Sequence, residues 1–191
     1  MIRKNPELVA YSEVLFQKGV DGMHEEEFGP RQLILEQDHR YTKIYLIKKG
    51  IAKCYILDEN GKEFIQEFLG EGMEFGELEI FRNKLTICSV ESITSLKVFS
   101  FTYSCFNNLL KADFKFNQLI MKALADKIRY KAPRHSYQHA YPIEDNILKL
   151  QRMFPEITEV ISKKDIANYI GVTPRSLNRA LKGLREKKQS S

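Results

Sequence analysis

The hydrophobic pattern of this chain changes its period once, near residue 104, and that change limits the folds available to it. Before it, short apolar runs alternate with glycine-containing turns, at a spacing of about 8–12 residues that is typical of a β-sandwich or barrel. Beyond it, apolar residues recur with the period of an α-helix. The sequence therefore predicts an α+β chain that begins with a jelly-roll-type β-roll over residues 1–105.

A β-hairpin is predicted inside the roll. Asn60 and Gly61 lie between two strand-like runs at 51–57 and 64–69. Asn-Gly is the strongest short-range hairpin signal, because a two-residue turn needs positive φ at both central positions and these residues tolerate it. The sequence therefore predicts a tight turn at this pair.

A single long helix is predicted over residues 106–132, where apolar side chains recur at helical spacing as far as Pro133. Its apolar stripe has to be covered, either by the chain's own roll or by the same helix of a second copy. We favour the homodimer. The residues predicted to form the dimer seam are Phe116, Ile120, Ala123 and Leu124.

Charge is distributed unevenly along the chain. The net charge is +5, but residues 1–110 carry 13 basic and 17 acidic side chains, whereas residues 111–191 carry 17 and 8. Lys and Arg supply most of the non-specific affinity for nucleic-acid phosphates. An acidic body joined to a basic module therefore indicates a partner that is a polyanion, with a solvated basic tail as the alternative.

A linker at 133–142 leads to a domain at 143–191 that contains a helix-turn-helix pattern. Ser162 can cap the first helix, Gly171 allows a sharp turn, and Thr173 can cap a second helix that starts with proline. The second helix presents a basic, polar face, and the residues predicted to contact double-stranded DNA are Thr173, Pro174, Arg175, Ser176, Asn178, Arg179 and Lys182.

Those residue types suit the reading of DNA. Arginine forms paired hydrogen bonds with guanine, asparagine does so with adenine, and lysine contacts phosphates. Two alternatives stay open. The segment could be an ordinary helical hairpin with a charged solvent face, or the chain could be a ligand-sensing or dimerising roll that no longer holds DNA by itself.

Enzyme, metal and disulfide chemistry lack support in the sequence. There is no phosphate-binding glycine loop, no GxSxG and no HExxH, so we predict neither an enzyme nor a cofactor. His135 and His139 stand four apart without a carboxylate or thiol at ligand spacing, so no metal is predicted. Cys54, Cys88 and Cys105 contain no CxxC pair and are expected to be free thiols, with a redox-sensing Cys105 as the alternative.

Localisation follows from two absences in the sequence. Apolar runs reach four residues, far short of the roughly 18 that a membrane span requires. No hydrophobic signal-peptide core follows Met1. We therefore expect a cytoplasmic protein that does not enter a membrane.

Taken together, these motifs resemble the Crp/Fnr transcription regulators. The resemblance rests on Tyr45-Leu46-Ile47 followed by Gly50, the hairpin at 60–63, the block Phe75-Gly76-Glu77-Leu78 with Ile80-Phe81, and the helix-turn-helix, in that order. It covers about residues 15–188. It implies a cyclic-nucleotide-binding-type roll, a dimerisation helix and a winged-helix-type DNA-binding domain, with RNA polymerase as a further candidate partner.

The chain departs from that family in two ways. Thr86 stands where nucleotide-binding members have the arginine that pairs with the cyclic phosphate, so the resemblance is closer to PrfA-like or YeiL-like regulators, which do not bind cyclic nucleotides. We expect an unknown effector other than cyclic AMP, with a pocket formed by Phe75, Gly76, Glu77, Leu78, Thr86 and Ile87. Relatives also continue into a β-hairpin wing, so either the chain is cut short or its wing is lost.

Overall fold

A computed structural model describes the backbone of residues 2–153 and 157–189, and their side chains apart from 133–140, 153, 158 and 187–189. The predicted α+β class is confirmed, with nine strands among the described residues, all before residue 103. The side chains of His135 and His139 lie outside the described set. Within the described residues, no helix is long and apolar enough to cross a membrane.

The N-terminal part is a roll of two sheets. A five-stranded sheet has the order β1-β6-β5-β8-β3 and a four-stranded sheet has the order β2-β9-β4-β7. The strands are β1 Ile2–Arg3, β2 Met23–Phe28, β3 Leu33–Leu35, β4 Lys43–Lys49, β5 Ala52–Leu57, β6 Glu63–Leu69, β7 Glu74–Phe75, β8 Ser89–Ser92 and β9 Leu96–Thr102. Apolar side chains of both sheets, Ile47, Val90 and Val98 among them, fill the space between them.

The predicted hairpin joins β5 to β6, but its connection is longer than the predicted two-residue turn at Asn60 and Gly61. Leu57 pairs with Glu63, so residues 58–62 form the loop. Among these residues Gly61 has positive φ (74°) and Asn60 does not. The carboxylate of Asp58 accepts hydrogen bonds from the backbone N–H groups of Asn60 and Lys62, each at 2.9 Å. That side chain therefore organises a five-residue loop.

The segment after the roll consists of two helices rather than one. Helix α3 spans Tyr103–Ala112 and α4 spans Phe114–Ala140. Asp113 separates them, since its backbone is extended and its carboxylate accepts the N–H of Phe116 at 2.9 Å. Helix α4 continues through Pro133, so the predicted linker at 133–142 is wrong except for Tyr141 and Pro142.

Helices α3, α4 and α1 (Pro6–Gln17) cover the outer face of the four-stranded sheet. Phe116, Ile120 and Ala123 are buried in this layer, and the ring centroids of Phe116 and Phe101 lie 6.0 Å apart. The prediction that these residues form a dimer seam is therefore wrong, because the chain's own roll covers them. Leu124 is half-buried against the same cluster.

The C-terminal helices pack on the opposite side, against the outer face of the five-stranded sheet. They are α5 Ile143–Met153, α6 Ile157–Val160, α7 Lys163–Ile170 and α8 Pro174–Gln189. A short helix, α2 Glu77–Arg82, lies within the roll after β7. The roll thus stands between the long helix on one side and the helix-turn-helix on the other.

Two glycines with positive φ provide a matched test of packing. A Cβ on Gly72 (φ 78°) would lie 1.9 Å from the carbonyl oxygen of Asn5, whereas one on Gly61 (φ 74°) would meet no atom within 4 Å. Gly61→Ala should lower the free energy of unfolding by about 1 kcal/mol, the cost of positive φ for an L-residue. Gly72→Ala should cost several kcal/mol more, because backbone atoms must also shift, and urea unfolding of both variants measures the difference. Equal losses would contradict this account of Gly72.

Candidate DNA interface and sensor pocket

The helix-turn-helix has the local structure that its sequence predicts. The hydroxyl of Ser162 accepts the N–H of Asp165 at 3.0 Å, and Gly171 ends α7 with φ 83°. The hydroxyl of Thr173 accepts the N–H of Ser176 at 3.1 Å at the start of α8. Leu177 is fully buried between the helices. The two helices are therefore held at a fixed angle by caps, a glycine turn and a shared core.

The predicted contact residues share the outer side of α8. Arg175, Asn178, Arg179 and Lys182 are all exposed, and so are Thr173 and Pro174, while Ser176 is half-buried because it closes the cap. The Nζ atom of Lys182 lies 3.8 Å from a carboxylate oxygen of Glu186, an exposed pair that contributes little. From residue 166 to 185 the sequence contains no acidic residue. This face is therefore a cationic surface with hydrogen-bond donors and acceptors at its centre.

The side of α7 that faces away from α8 is docked on the roll through ion pairs. The ammonium of Lys53, on β5, lies 3.2 Å from carboxylate oxygens of both Asp165 and Glu63. Glu63 also lies 3.2 Å from the ammonium of Lys164. Burial acts to lower the pKa of Lys53, but the nearby carboxylates outweigh it and raise the pKa above its ordinary value. Lys53 is therefore charged and couples the roll to the helix-turn-helix.

Aromatic side chains complete this docking contact. The ring of Tyr169 on α7 lies 5.0 Å from that of Phe68 on β6, and both side chains are buried. The hydroxyl of Tyr169 also forms a hydrogen bond with that of Tyr130 on α4. One side chain of α7 thus touches both the sheet and the long helix.

The residues predicted to line an effector pocket differ in their exposure to solvent. Leu78 and Ile87 are exposed, whereas the ring of Phe75 is buried and stacks on Tyr45 at 5.0 Å. Gly76 has φ 86°, and a Cβ there would lie 2.9 Å from the carbonyl oxygen of Lys43. This part of the predicted site is therefore divided between the surface and the packed core.

The polar groups of Thr86 are hydrogen-bonded within the chain. Its buried hydroxyl donates to the carbonyl oxygen of Glu36 and accepts the N–H of His39 at 3.0 Å. Its backbone N–H donates to the carbonyl oxygen of His39 at 2.9 Å. Thr86 therefore anchors the loop after β3, and a bulky arginine at this position would disrupt that loop.

Glu77 is already paired with a cation from α4. The Nζ atom of Lys127 lies 2.6 Å from a carboxylate oxygen of Glu77 and 2.9 Å from one of Glu74, and all three side chains are buried. The same ammonium donates to the backbone carbonyl of Glu74 at 3.2 Å. The chain thus fills the space between its roll and its long helix with its own ion cluster.

Two effects determine the pKa values in this cluster, namely burial and the presence of two carboxyl groups beside one ammonium group. Burial raises the pKa of Glu74, and Lys127 only partly offsets it. Burial would lower the pKa of Lys127, but the charges of Glu77 and Glu74 outweigh it and raise the pKa well above the ordinary lysine value. At neutral pH Lys127 is therefore a fixed positive charge inside the fold.

A groove of about 470 Å³ lies between the N-terminal segment and α4. Its charged lining is mixed, because the basic residues Arg3, Lys4 and Lys122 alternate with Glu7 and Asp126. A guanidinium nitrogen of Arg3 lies 2.5 Å from a carboxylate oxygen of Glu67. The ammonium nitrogen of Lys122 lies 3.3 Å from a carboxylate oxygen of Glu7. The cations of this groove are thus paired within the chain, and the groove does not form an anion site.

Several of these features have no signal in the sequence. Lys127 lies 50 residues from Glu77, and Lys53 lies 112 residues from Asp165, so neither ion pair follows from spacing. Among the described side chains, no three His, Cys, Asp or Glu residues are grouped as metal ligands. The exposed side of α4 could have been found from the seven-residue spacing of Phe114, Met121 and Ile128.

Comparisons with known proteins agree with this geometry. Residues 25–113 match the cyclic nucleotide-binding domain family. The chain is 21% identical over 174 residues to the cAMP-activated global transcriptional regulator CRP of Salmonella typhimurium, covering 85% of this chain and 83% of that protein.

Solved structures show the same fold at low sequence identity. The c-di-GMP-responsive global regulator CLP of Xanthomonas campestris has a TM-score of 0.79 at 14% identity and covers 92% of this chain and 93% of its own. A CRP/FNR family transcriptional regulator of Thermus thermophilus has a TM-score of 0.71 at 13% identity, with coverages of 86% and 87%. The resemblance to Crp/Fnr regulators predicted from the sequence is thereby confirmed at the level of the fold.

Removing Lys127 should leave two buried carboxylates without their cation. We expect Lys127→Ala to lower the free energy of unfolding by about 3–5 kcal/mol at neutral pH. Without the cation the pKa of Glu74 rises further, and a carboxyl whose pKa is raised by folding loses stability as pH increases. The loss should therefore be smaller near pH 5 than near pH 8 in urea unfolding. Lys122→Ala, at an exposed ion pair, is the control and should cost less than about 1 kcal/mol at either pH.

Proposed function

We propose that this chain, which carries a cyclic nucleotide-binding domain and has the fold of the Crp/Fnr transcription regulators, is a transcription regulator that binds double-stranded DNA as a homodimer. The observation that carries the proposal is the exposed face of α8, where Arg175, Asn178, Arg179 and Lys182 project together from a capped helix. A helix that presents such side chains fits the major groove, with its N-terminal turn entering first.

The bases would be read near the start of α8 and the phosphates further along it. Arg175, Asn178 and Arg179 have the planar groups that form paired hydrogen bonds with base edges. Lys182 lies one turn later and suits the backbone. In a two-fold dimer two such helices require a roughly palindromic site, whose half-sites lie about one or two turns of DNA apart.

A pair of substitutions distinguishes base reading from phosphate contact. Arg179→Ala should cost about 1–3 kcal/mol and relax specificity at one base position. Lys182→Ala should weaken binding to all sequences alike and reduce the salt slope by about one unit. Gel-shift titrations at two salt concentrations, on an operator selected from random DNA, measure both effects.

Lys111→Ala is the matched control, because Lys111 is an exposed cation on α3, outside the DNA-binding domain. It should leave affinity and specificity unchanged. If Arg179→Ala also left both unchanged, the recognition face would be misassigned. If the wild-type chain selected no sequence at all, the alternative of a roll that does not hold DNA by itself would be favoured.

Dimerisation is proposed through the side of α4 that faces away from the roll. Phe114, Met121 and Ile128 are 76%, 61% and 70% exposed and stand seven residues apart, so they form one stripe along the helix. This stripe is opposite the buried Ile120 and Ala123. A second copy of α4 would cover it, since a seven-residue apolar repeat is the pattern by which two helices pack side by side.

Met121→Glu should convert the dimer to monomers, because it would place two carboxylates in an apolar seam without partners. Sedimentation at micromolar concentrations measures the change in mass. Lys122→Glu is the control, since it introduces the same side chain one residue away, to the side of the stripe, and should leave the dimer intact. A wild-type chain that sediments as a monomer would contradict the dimer, and a Met121→Glu dimer would contradict this seam.

We further propose that cyclic AMP is not the effector. The position of the phosphate-binding arginine holds Thr86, whose hydroxyl is occupied, and Glu77 is paired with Lys127. A buried phosphate without a cation lacks its charge-assisted partner. Any signal that the roll senses would therefore use chemistry other than a bound cyclic phosphate.

Thermal unfolding with and without cyclic AMP tests this expectation. At 1 mM ligand, a dissociation constant of about 10 μM would add about 2.7 kcal/mol to the free energy of unfolding. We expect no measurable shift in Tm. A shift of several degrees with cyclic AMP that 5′-AMP does not reproduce would overturn the proposal.

A further inference from the structure

We propose that Cys54 and Cys88 form a peroxide-reactive thiol pair that closes reversibly to an intramolecular disulfide, with Cys88 as the attacking thiol and Cys54 as the resolving one. The Sγ atoms of the two residues lie 2.7 Å apart, and both thiols are free. The proposal does not rest on the DNA-binding function.

The sheet explains why two residues 34 positions apart meet. Strands β5 and β8 are antiparallel neighbours in which Cys54 pairs with Val90. Cys88 lies immediately before β8 and two residues before Val90, so it is placed diagonally across from Cys54. Diagonal neighbours of an antiparallel pair lie within reach of each other's side chains. The backbone register therefore holds the two sulfur atoms together without further rearrangement.

The two thiols differ in the way the reaction requires. The hydrogen bond from Cys54 lowers the pKa of Cys88, against the effect of burial. The same hydrogen bond, reinforced by burial, raises the pKa of Cys54 well above its ordinary value. Cys88 is therefore the more acidic thiol of the pair and the one that more readily gives a thiolate, which is the nucleophile, while Cys54 donates the hydrogen bond that favours it.

The two thiols also differ in their exposure to solvent. Cys54 is buried between the sheets, whereas Cys88 is half-buried and follows Ile87, which is 61% exposed. Among the nearby charges, Glu79 and Glu77 on α2 disfavour the Cys88 thiolate and Lys131 on α4 favours it, so the hydrogen bond from Cys54 is the main cause of the lowered pKa. A small oxidant can thus approach Cys88 from solvent and cannot reach Cys54 directly. Hydrogen peroxide is a small, uncharged oxidant that meets this requirement.

The reaction balances in two steps. The Cys88 thiolate attacks one oxygen of hydrogen peroxide, the O–O bond breaks, and a sulfenic acid and hydroxide form. The Cys54 sulfur then attacks the sulfenic sulfur, the S–O bond breaks, and the hydroxyl leaves as water with the proton of Cys54. The proton that Cys88 released when its thiolate formed neutralises the hydroxide of the first step. In total two thiols are oxidised to one disulfide and one peroxide is reduced to two waters. An external dithiol reverses the product by exchange.

The crosslink would join β5, which contacts the helix-turn-helix, to the segment after α2, the helix that contacts α4. Cys54 follows Lys53, whose ammonium contacts Asp165 of the DNA-binding domain. Cys88 lies in the segment after α2, the helix whose first residue, Glu77, holds Lys127 of the long helix. The thiol pair itself lies inside the roll, between the segments that make these two contacts.

Mass spectrometry of the full chain tests the proposal. The reduced protein is exposed to an equimolar amount of hydrogen peroxide, blocked with N-ethylmaleimide and digested without reductant. We expect a peptide that links Cys54 to Cys88 and disappears after treatment with dithiothreitol, while Cys105 is recovered alkylated. Absence of that peptide, or crosslinks mainly between chains, would overturn the proposal.

Two single substitutions test the assigned roles. In Cys54→Ser the sulfenic acid has no resolving thiol, so dimedone should label Cys88 at least about ten times more than in the wild type. In Cys88→Ser, Cys54 should stay unlabelled, because its thiol is buried and protonated. Cys105→Ser is the control and should still form the crosslink. Labelling of Cys54 in place of Cys88 would overturn the assignment of the two roles.

Discussion

The fold depends on one buried ammonium group. Lys127 joins the long helix to the roll through Glu74 and Glu77. A buried ion pair of this kind contributes little net stability compared with apolar packing, but removal of one partner is costly, since the others remain buried and charged. The cluster therefore fixes where α4 lies on the roll more than it stabilises the chain.

That placement buries one side of α4 and leaves the opposite side exposed. One side is buried against the four-stranded sheet by Phe116, Ile120 and Ala123, and the opposite side leaves Phe114, Met121 and Ile128 exposed. If α4 turned about its axis, both sets would be misplaced, so the lysine that fixes its rotation also determines which stripe a second copy can meet. The roll, the helix and the proposed seam are thus parts of one arrangement.

The sequence predicted the elements whose signals are local and missed the contacts that depend on distance along the chain. The caps at Ser162 and Thr173 and the turn at Gly171 follow from side chains within three residues of each other, and the structure has all of them. The seam was misassigned because an apolar stripe does not reveal which surface covers it, and α4 has apolar residues on two sides. The contact between Cys54 and Cys88 was missed because it follows from strand pairing, which a single sequence does not specify.

The docking of α7 on β6 makes the position of the helix-turn-helix depend on contacts with the roll, so under the proposed function DNA binding competes with this docking. An operator that requires another position of α8 can bind only the fraction of molecules in which Tyr169 has left Phe68 and Asp165 has left Lys53. The apparent dissociation constant is then the intrinsic one divided by that fraction, so a free fraction of one in a hundred weakens binding about a hundredfold. Substitutions on β5 and β6, which carry none of the proposed DNA contacts, would then change the affinity of the proposed DNA complex.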